Sequence, residues 1–254
     1  MTTSIRIQAP LDLAQIAACL EGLEETIITK LIDRAQFALN QVVYQAGKSG
    51  FEGEERSLFE IRLHAQEVFD SEFGRFCVPE ERPFTKGLPP SRRRVELPPG
   101  PLAIEDYEAV NMTAQILTGY RTLLPEICLP GDDGHYGSSV EHDTYALQAI
   151  ARRIHFGALY VGESKYESDC ETYDTLIAKR DREGLLQVLT RPDVEDTILE
   201  RVANKVEHLQ AEINPQVRRR ISSRAVLEFY QAHIIPLTKE GEIRYFLNRR
   251  REPN

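Results

Sequence analysis

The sequence predicts an all-α fold, a multi-helix bundle of about ten to twelve helices. Two observations carry that prediction. Apolar residues recur at spacings of three and four along most of the chain, and no segment alternates apolar and polar residues for more than a few positions. From Leu13 through Ile16, Leu20, Leu23, Ile27, Leu31 and Ala38 this spacing outlines one long amphipathic helix. A second helix is expected from about Arg56 to Phe76. The stretch from Pro79 to Pro101 then holds seven of the fourteen prolines and the triplet Arg92-Arg93-Arg94. Proline at that density removes backbone donors and blocks helix, so an extended loop is expected. A helix near Ile104 to Leu124 follows, and Gly131-Asp132-Asp133-Gly134 is a turn. Ser138 or Ser139 is expected to cap the longest helix, which runs to about Glu167. Shorter helices cover Thr172 to Lys179 and Glu183 to Leu189. Pro192, a residue suited to a first helical turn, opens a helix to about Glu212. The last helix begins at Ser222 or Ser223, with Pro236 as a kink.

The bulk numbers narrow the function. A chain of 254 residues can bury one large core or two small ones without staples. A net charge of −9 argues against nucleic acid or an anionic membrane as the main partner. An anionic ligand is therefore not drawn in by net charge, and its site must gather its own cations. Cys19, Cys77, Cys128 and Cys170 form no C-x-x-C pair and read as reduced, mostly buried thiols of a cytoplasmic protein. No transmembrane run is present, and Leu11 to Leu20, which contains Asp12 and Gln15, makes a poor secretion signal. His64, His135, His142, His155, His208 and His233 lack the carboxylate spacing of a metal site, and no cofactor is expected.

The chemistry-bearing residues cluster in the second half. Arg152-Arg153-Ile154-His155-Phe156-Gly157 and then Lys165 put permanent cations on one expected helix. Adjacent arginines point about 100° apart, so one of the two at most faces a given pocket. Thr238 and Glu242, four residues apart, share a face of the last helix, whereas Glu240 and Glu242 do not. Cations facing a carboxylic acid suit a small dianion whose reaction needs a hydrogen bond to an ether oxygen.

These segments, in this order, resemble the eukaryotic-type, all-helical chorismate mutases over most of the chain, from about Leu13 to Arg250. The resemblance implies one domain spanning residues 1–254 with a proline-rich loop at 79–101, and it implies rearrangement of chorismate to prephenate in aromatic amino acid biosynthesis. It also implies a homodimer. By resemblance Arg153 grips a substrate carboxylate, Lys165 and a protonated Glu242 address the ether oxygen, Glu195 binds the ring hydroxyl, and Thr238 supports the clamp. In the family a second site controls activity; its signature maps to Arg75, Gly137, Ser138 and Ser222, but Gly74 stands where an arginine is usual and Glu141 where a threonine is usual. Weak or absent tyrosine and tryptophan control is expected, because a new carboxylate repels that of an amino acid.

Three departures stand out. The arginine that the family places on the first helix is Ala17 here, which points to an alternative reading: a repurposed pericyclase or isomerase, or a non-catalytic paralogue. Arg153 and Lys165 are twelve residues apart where the family has eleven, so a regular helix swings Lys165 about 120° off the site. A one-residue π-bulge at Gly157 or Gly162 restores the phase. Finally, Arg191 replaces the family's asparagine before Pro192 and is expected to supply the cation missing at Ala17; its other reading is a surface arginine paired with Glu195.

Overall fold

A computed structural model describes residues 11–97 and 100–250. Every regular element among them is helical. The two termini and Pro98-Pro99 of the proline-rich loop, both inside the expected domain, lie outside the described residues.

Local chemistry sets most helix starts. Asp12 accepts from the Ala14 N–H at 2.9 Å and opens α1 (Leu13–Arg34). A reciprocal Ser57–Glu60 capping box opens α2 (Leu58–Glu72). α3 (Thr113–Ile127) begins later than the periodicity suggests, because Asp106 caps a separate turn of 3-10 helix at Tyr107–Val110. α4 (Tyr136–Phe156) runs through a π-turn at Gly157–Val161 into α5 (Gly162–Ser168). Asp169 and Asp181 cap α6 (Cys170–Lys179) and α7 (Arg182–Leu189). Pro192 sits in the first turn of α8 (Pro192–Gln210). Ser222 caps α9 (Ser223–Phe229), which passes through a second π-turn at Tyr230–Ile234 into α10 (Ile235–Asn248).

Counting through the two π-turns leaves eight continuous helices among the described residues, fewer than the ten to twelve expected. Two corrections concern helix ends. α1 stops at Arg34 rather than Ala38, because the Arg34 guanidinium takes the Phe37, Ala38 and Leu39 carbonyls that a continuing helix would need. The longest helix is capped by neither Ser138 nor Ser139: it starts at Tyr136, and the buried Ser139 hydroxyl donates to the Tyr136 carbonyl at 3.0 Å. The cysteines are all free, but only Cys128 is buried; Cys77 and Cys170 are exposed and Cys19 is half-buried.

The core surrounds α4, which packs against α1, α2, α3 and α10. Leu31, Met112, Tyr120, Ile150, Ile154, Val206 and Tyr230 are fully excluded from solvent there. Inside it Arg34 meets Asp143 at 2.6 Å, and the Tyr44 and Tyr120 hydroxyls donate to the same carboxylate at 2.6 and 2.8 Å. Two tyrosine hydroxyls on the carboxylate and three backbone carbonyls on the guanidinium make this buried pair tolerable, and it ties α1, α3 and α4 together. A second apolar cluster of Leu159, Tyr173, Leu185, Tyr245 and Phe246 lies beneath α5 and α10. The site lies where α1, α4, α5, α8 and α10 converge.

Candidate active site

Helical phase decides which charges enter the interior. Arg153 is 3% exposed and Arg152 48%, the latter pairing outward with Glu80 and Glu81. The Arg153 Nη1 donates to the Thr238 hydroxyl at 3.0 Å, and Thr238 in turn donates to the Ile234 carbonyl at 2.7 Å. The arginine Nε is buried without a partner. Behind it sits Glu24, fully buried. Arg201 holds that carboxylate in a bidentate pair at 2.7 and 2.9 Å, and Lys205 lies 3.5 Å away. With its charge answered from α8, Glu24 steers the Arg153 Nη2, 3.9 Å away, without neutralising it.

The π-turn at Gly157–Val161 falls where the twelve-residue spacing calls for one. It returns Lys165 to the interior, and the Lys165 Nζ lies 3.1 and 3.2 Å from the two oxygens of Glu242. The Lys165 side chain keeps 28% exposure, so it lies at the cavity wall rather than out in water. Glu242 is itself buried. Burial pushes its carboxyl above the ordinary range, and the nearby Lys165, Arg153 and Lys239 charges only partly offset that rise.

Arg153, Lys165, Glu195, Thr238 and Glu242 line one cavity of about 300 Å³, together with Ala17, Arg191 and Lys239. Its remaining wall is apolar, with Leu13, Ile16, Leu20, Val161, Leu189, Val194, Ile198 and Ile235. Ligand cavities span roughly 300–1,000 Å³, so this one suits a small molecule. Four cations oppose two carboxylates around it, a positive enclave in a chain of net charge −9. α1 lines the cavity with Leu13, Ile16, Ala17 and Leu20, none of them charged.

Arg191 does not pair with Glu195. It is 61% exposed at the cavity rim and meets the exposed Asp193 at 3.2 Å. Glu195 instead receives the Lys239 ammonium at 2.9 Å. Lys239 is the site residue that sequence reasoning missed. Its signal was present, since it adjoins Thr238 and stands three residues before Glu242, but it sits in a charged run where letters alone do not show which charge turns inward.

The regulatory signature lies outside this cavity. Arg75 is held by Asp70 at 3.1 Å, Glu81 at 3.0 Å and the Gln148 side chain at 2.6 Å. Gly137 is exposed and Ser138 half-buried in the first turn of α4, Ser222 is used as a helix cap, and Glu141 meets Arg62 at 3.5 Å.

Among the described residues no group of three or more His, Cys, Asp or Glu side chains could hold a metal ion. No described helix is long and apolar enough to cross a membrane.

No family model matches the chain. Curated relatives do. The chain is 34% identical over 236 residues to chorismate mutase 2 of Petunia hybrida, covering 89% of this chain and 88% of that protein. It is 34% identical over 250 residues to the chorismate mutase of Schizosaccharomyces pombe, covering 96% and 98%. In three dimensions it resembles the Candida albicans chorismate mutase solved with L-Trp, at TM-score 0.86 and 35% identity over 94% of this chain and 91% of that one. The chloroplast chorismate mutase of Zea mays gives a TM-score of 0.81 at 34% identity, over 95% and 97%. With that identity sustained across nearly the whole length and the same all-helical fold, the chain belongs to the chorismate mutase family.

Proposed function

We propose that the protein catalyses the Claisen rearrangement of chorismate to prephenate, an intramolecular isomerisation in aromatic amino acid biosynthesis. The observation that carries this reading is the convergence of Arg153, Lys165, Glu195, Thr238 and Glu242, from four helices, on one small cavity. The reaction breaks the ether C–O bond as a C–C bond forms, with no net proton transfer. Catalysis then consists of holding the folded conformer and stabilising charge on the departing oxygen.

In this assignment the Arg153 fork, oriented by Thr238, binds one carboxylate. Lys165 and a neutral Glu242 both donate to the ether oxygen, and Glu195 accepts from the ring hydroxyl. Arg191 at the rim, with Lys239, answers the other carboxylate in place of the arginine absent at Ala17. The repurposed-enzyme and non-catalytic alternatives gain no support from the comparisons, whose relatives bear the chorismate mutase name.

The test is loss of chorismate absorbance with identification of prephenate. Glu242 donates only when protonated, so turnover falls as the pH rises through its raised pKa. Glu242→Gln, a donor at every pH, flattens that limb. A wild-type rate unchanged from mildly acidic to neutral pH removes Glu242 from this role.

We also infer a homodimer. The exposed rings of Phe69 on α2 and Phe73 at its C-terminal cap, 4.6 Å apart, support it as an apolar patch suited to burial against a second copy. The free cysteines suit a reducing compartment such as the cytoplasm, although several relatives are named chloroplastic. Weak effector control is the regulatory reading. Solved chorismate mutases at 33% identity hold phenylalanine or tyrosine in an allosteric site. In this chain Arg75 is already saturated by two carboxylates and an amide.

A further inference from the structure

A π-turn is a soft joint. If its extra residue moves along the helix by one position, the residues passed over change phase by about 100°. α5 follows the π-turn directly and carries Lys165, so something must fix its rotation. The cavity does not supply this, because Lys165 reaches it on a long, flexible stem that is part exposed.

The fixing contacts lie on the far side of α5. Glu163, two residues before Lys165, is 3% exposed and lines no part of the site cavity. Its carboxylate accepts from Arg249 Nε at 2.9 Å and Nη2 at 2.7 Å, and from the Tyr245 hydroxyl. Tyr245 stands three residues after Glu242 on α10, and its oxygen also accepts from the Ala103 N–H at 3.0 Å. Arg249 is stacked 3.3 Å above the Tyr166 ring. The Glu163–Tyr245 bond is thus a second rung between α5 and α10, close to the Lys165–Glu242 rung. α10 packs tightly beside these rungs: a Cβ on Gly162 at the start of α5 would lie 3.2 Å from the Tyr245 ring, and one on Gly241 2.6 Å from the Ala158 Cβ of the π-turn. A buried ion pair of this kind is weak evidence for a purely stabilising role, since packed apolar side chains serve stability as well.

We propose that Glu163, held by Tyr245 and Arg249, is a positioning residue that locks the rotation of α5 beyond the π-turn and so aims the Lys165 ammonium at Glu242 and the reacting atom. This rests on the rearrangement reading, and the two are separable. If the wild-type chain does not convert chorismate, that reading fails; if it does, the variants decide the lock.

The variants are Glu163→Gln and Tyr245→Phe in the full chain, each assayed for kcat, KM and the pH dependence of kcat, with a thermal melt alongside. Glu163→Gln is expected to lower kcat tenfold to a hundredfold, as roughly 1 Å of misplacement does. KM is expected to change less than about threefold, because the carboxylate partners sit on other helices. The falling limb of kcat should also move to higher pH. Glu242 faces Lys165 from α5, Arg153 from α4, Tyr173 from α6 and Lys239 on its own helix. Of these the variant displaces only Lys165, whose charge holds the Glu242 pKa down. Tyr245→Phe, which removes one hydroxyl and keeps the packed ring, should move both readouts in the same direction to a lesser degree. A lowered melting temperature with kcat and the pH limb unchanged overturns the proposal. If Glu163→Gln does not fold, wild-type kcat and an unmoved limb in Tyr245→Phe overturn it equally.

Discussion

At the scale of single residues, the distinction that matters is between charges with a structural partner and charges left for a ligand. Arg34 and Arg201 are consumed by Asp143 and Glu24. Arg153 makes one hydrogen bond to a neutral hydroxyl, and Arg191 has only an exposed aspartate that water screens. Arg191→Ala is therefore expected to raise KM for chorismate about tenfold, the low end for a charge-assisted bond given its exposure, with a smaller effect on kcat. Steady-state kinetics on the variant checks this, and an unchanged KM would return Arg191 to the surface. Much of this level was legible. Adjacent arginines must diverge, so one of Arg152 and Arg153 had to face out, and the four-residue step put Thr238 and Glu242 on one face. The Lys239–Glu195 pair was not legible, because it depends on how α8 meets α10, and no local spacing encodes that.

At the scale of elements, the first π-turn sets the phase of Lys165, and the second leads into the helix that carries Thr238 and Glu242. The first could be inferred by counting: twelve residues between Arg153 and Lys165 do not fit a regular helix with both facing inward, and glycines mark where it can yield. The second, at Tyr230–Ile234, was read only as a kink at Pro236. Its cause is the proline ring, which would strike the Ala232 carbonyl in a regular helix and lacks an N–H to bond it. Deleting Tyr160 converts the first π-turn into ordinary helix with the same phase at Lys165. The deletion variant should fold, losing about 1 kcal/mol from the ring contact with Phe156, and keep turnover within about threefold. Inserting one alanine after Val161 rotates Lys165 by a further 100° and should reduce turnover on the order of a hundredfold. Circular dichroism and turnover of the two variants form the measurement; equal activity in both would separate Lys165 from catalysis. The cap of α4 escaped the sequence because Asp133, bonded to the His135 N–H at 2.9 Å, already organises the preceding turn.

For the whole molecule, the fold class followed from periodicity alone, whereas the packing of the proline-rich segment did not. Residues 91–95 of that segment lie against the end of α2: the Arg92 N–H donates to the Glu72 carbonyl at 2.9 Å. Gly74 there has φ +85°, and a Cβ on it would come 2.5 Å from the Val95 side chain. An arginine at that position would be strained and obstructed. With Gly74 closed and Arg75 saturated, saturating tyrosine or tryptophan should leave chorismate turnover within about twofold of its unliganded value. A several-fold response in an effector titration would contradict this. The glycine contacts between the π-turn and α10 carry one more consequence. A Cβ on Gly157 would stand 2.9 Å from the Thr238 methyl, so the walls bearing the reactive groups already touch wherever a glycine permits. Such a chamber has no slack to expand around a bulkier guest, and selectivity among shikimate-derived acids becomes a matter of outline as much as of charge.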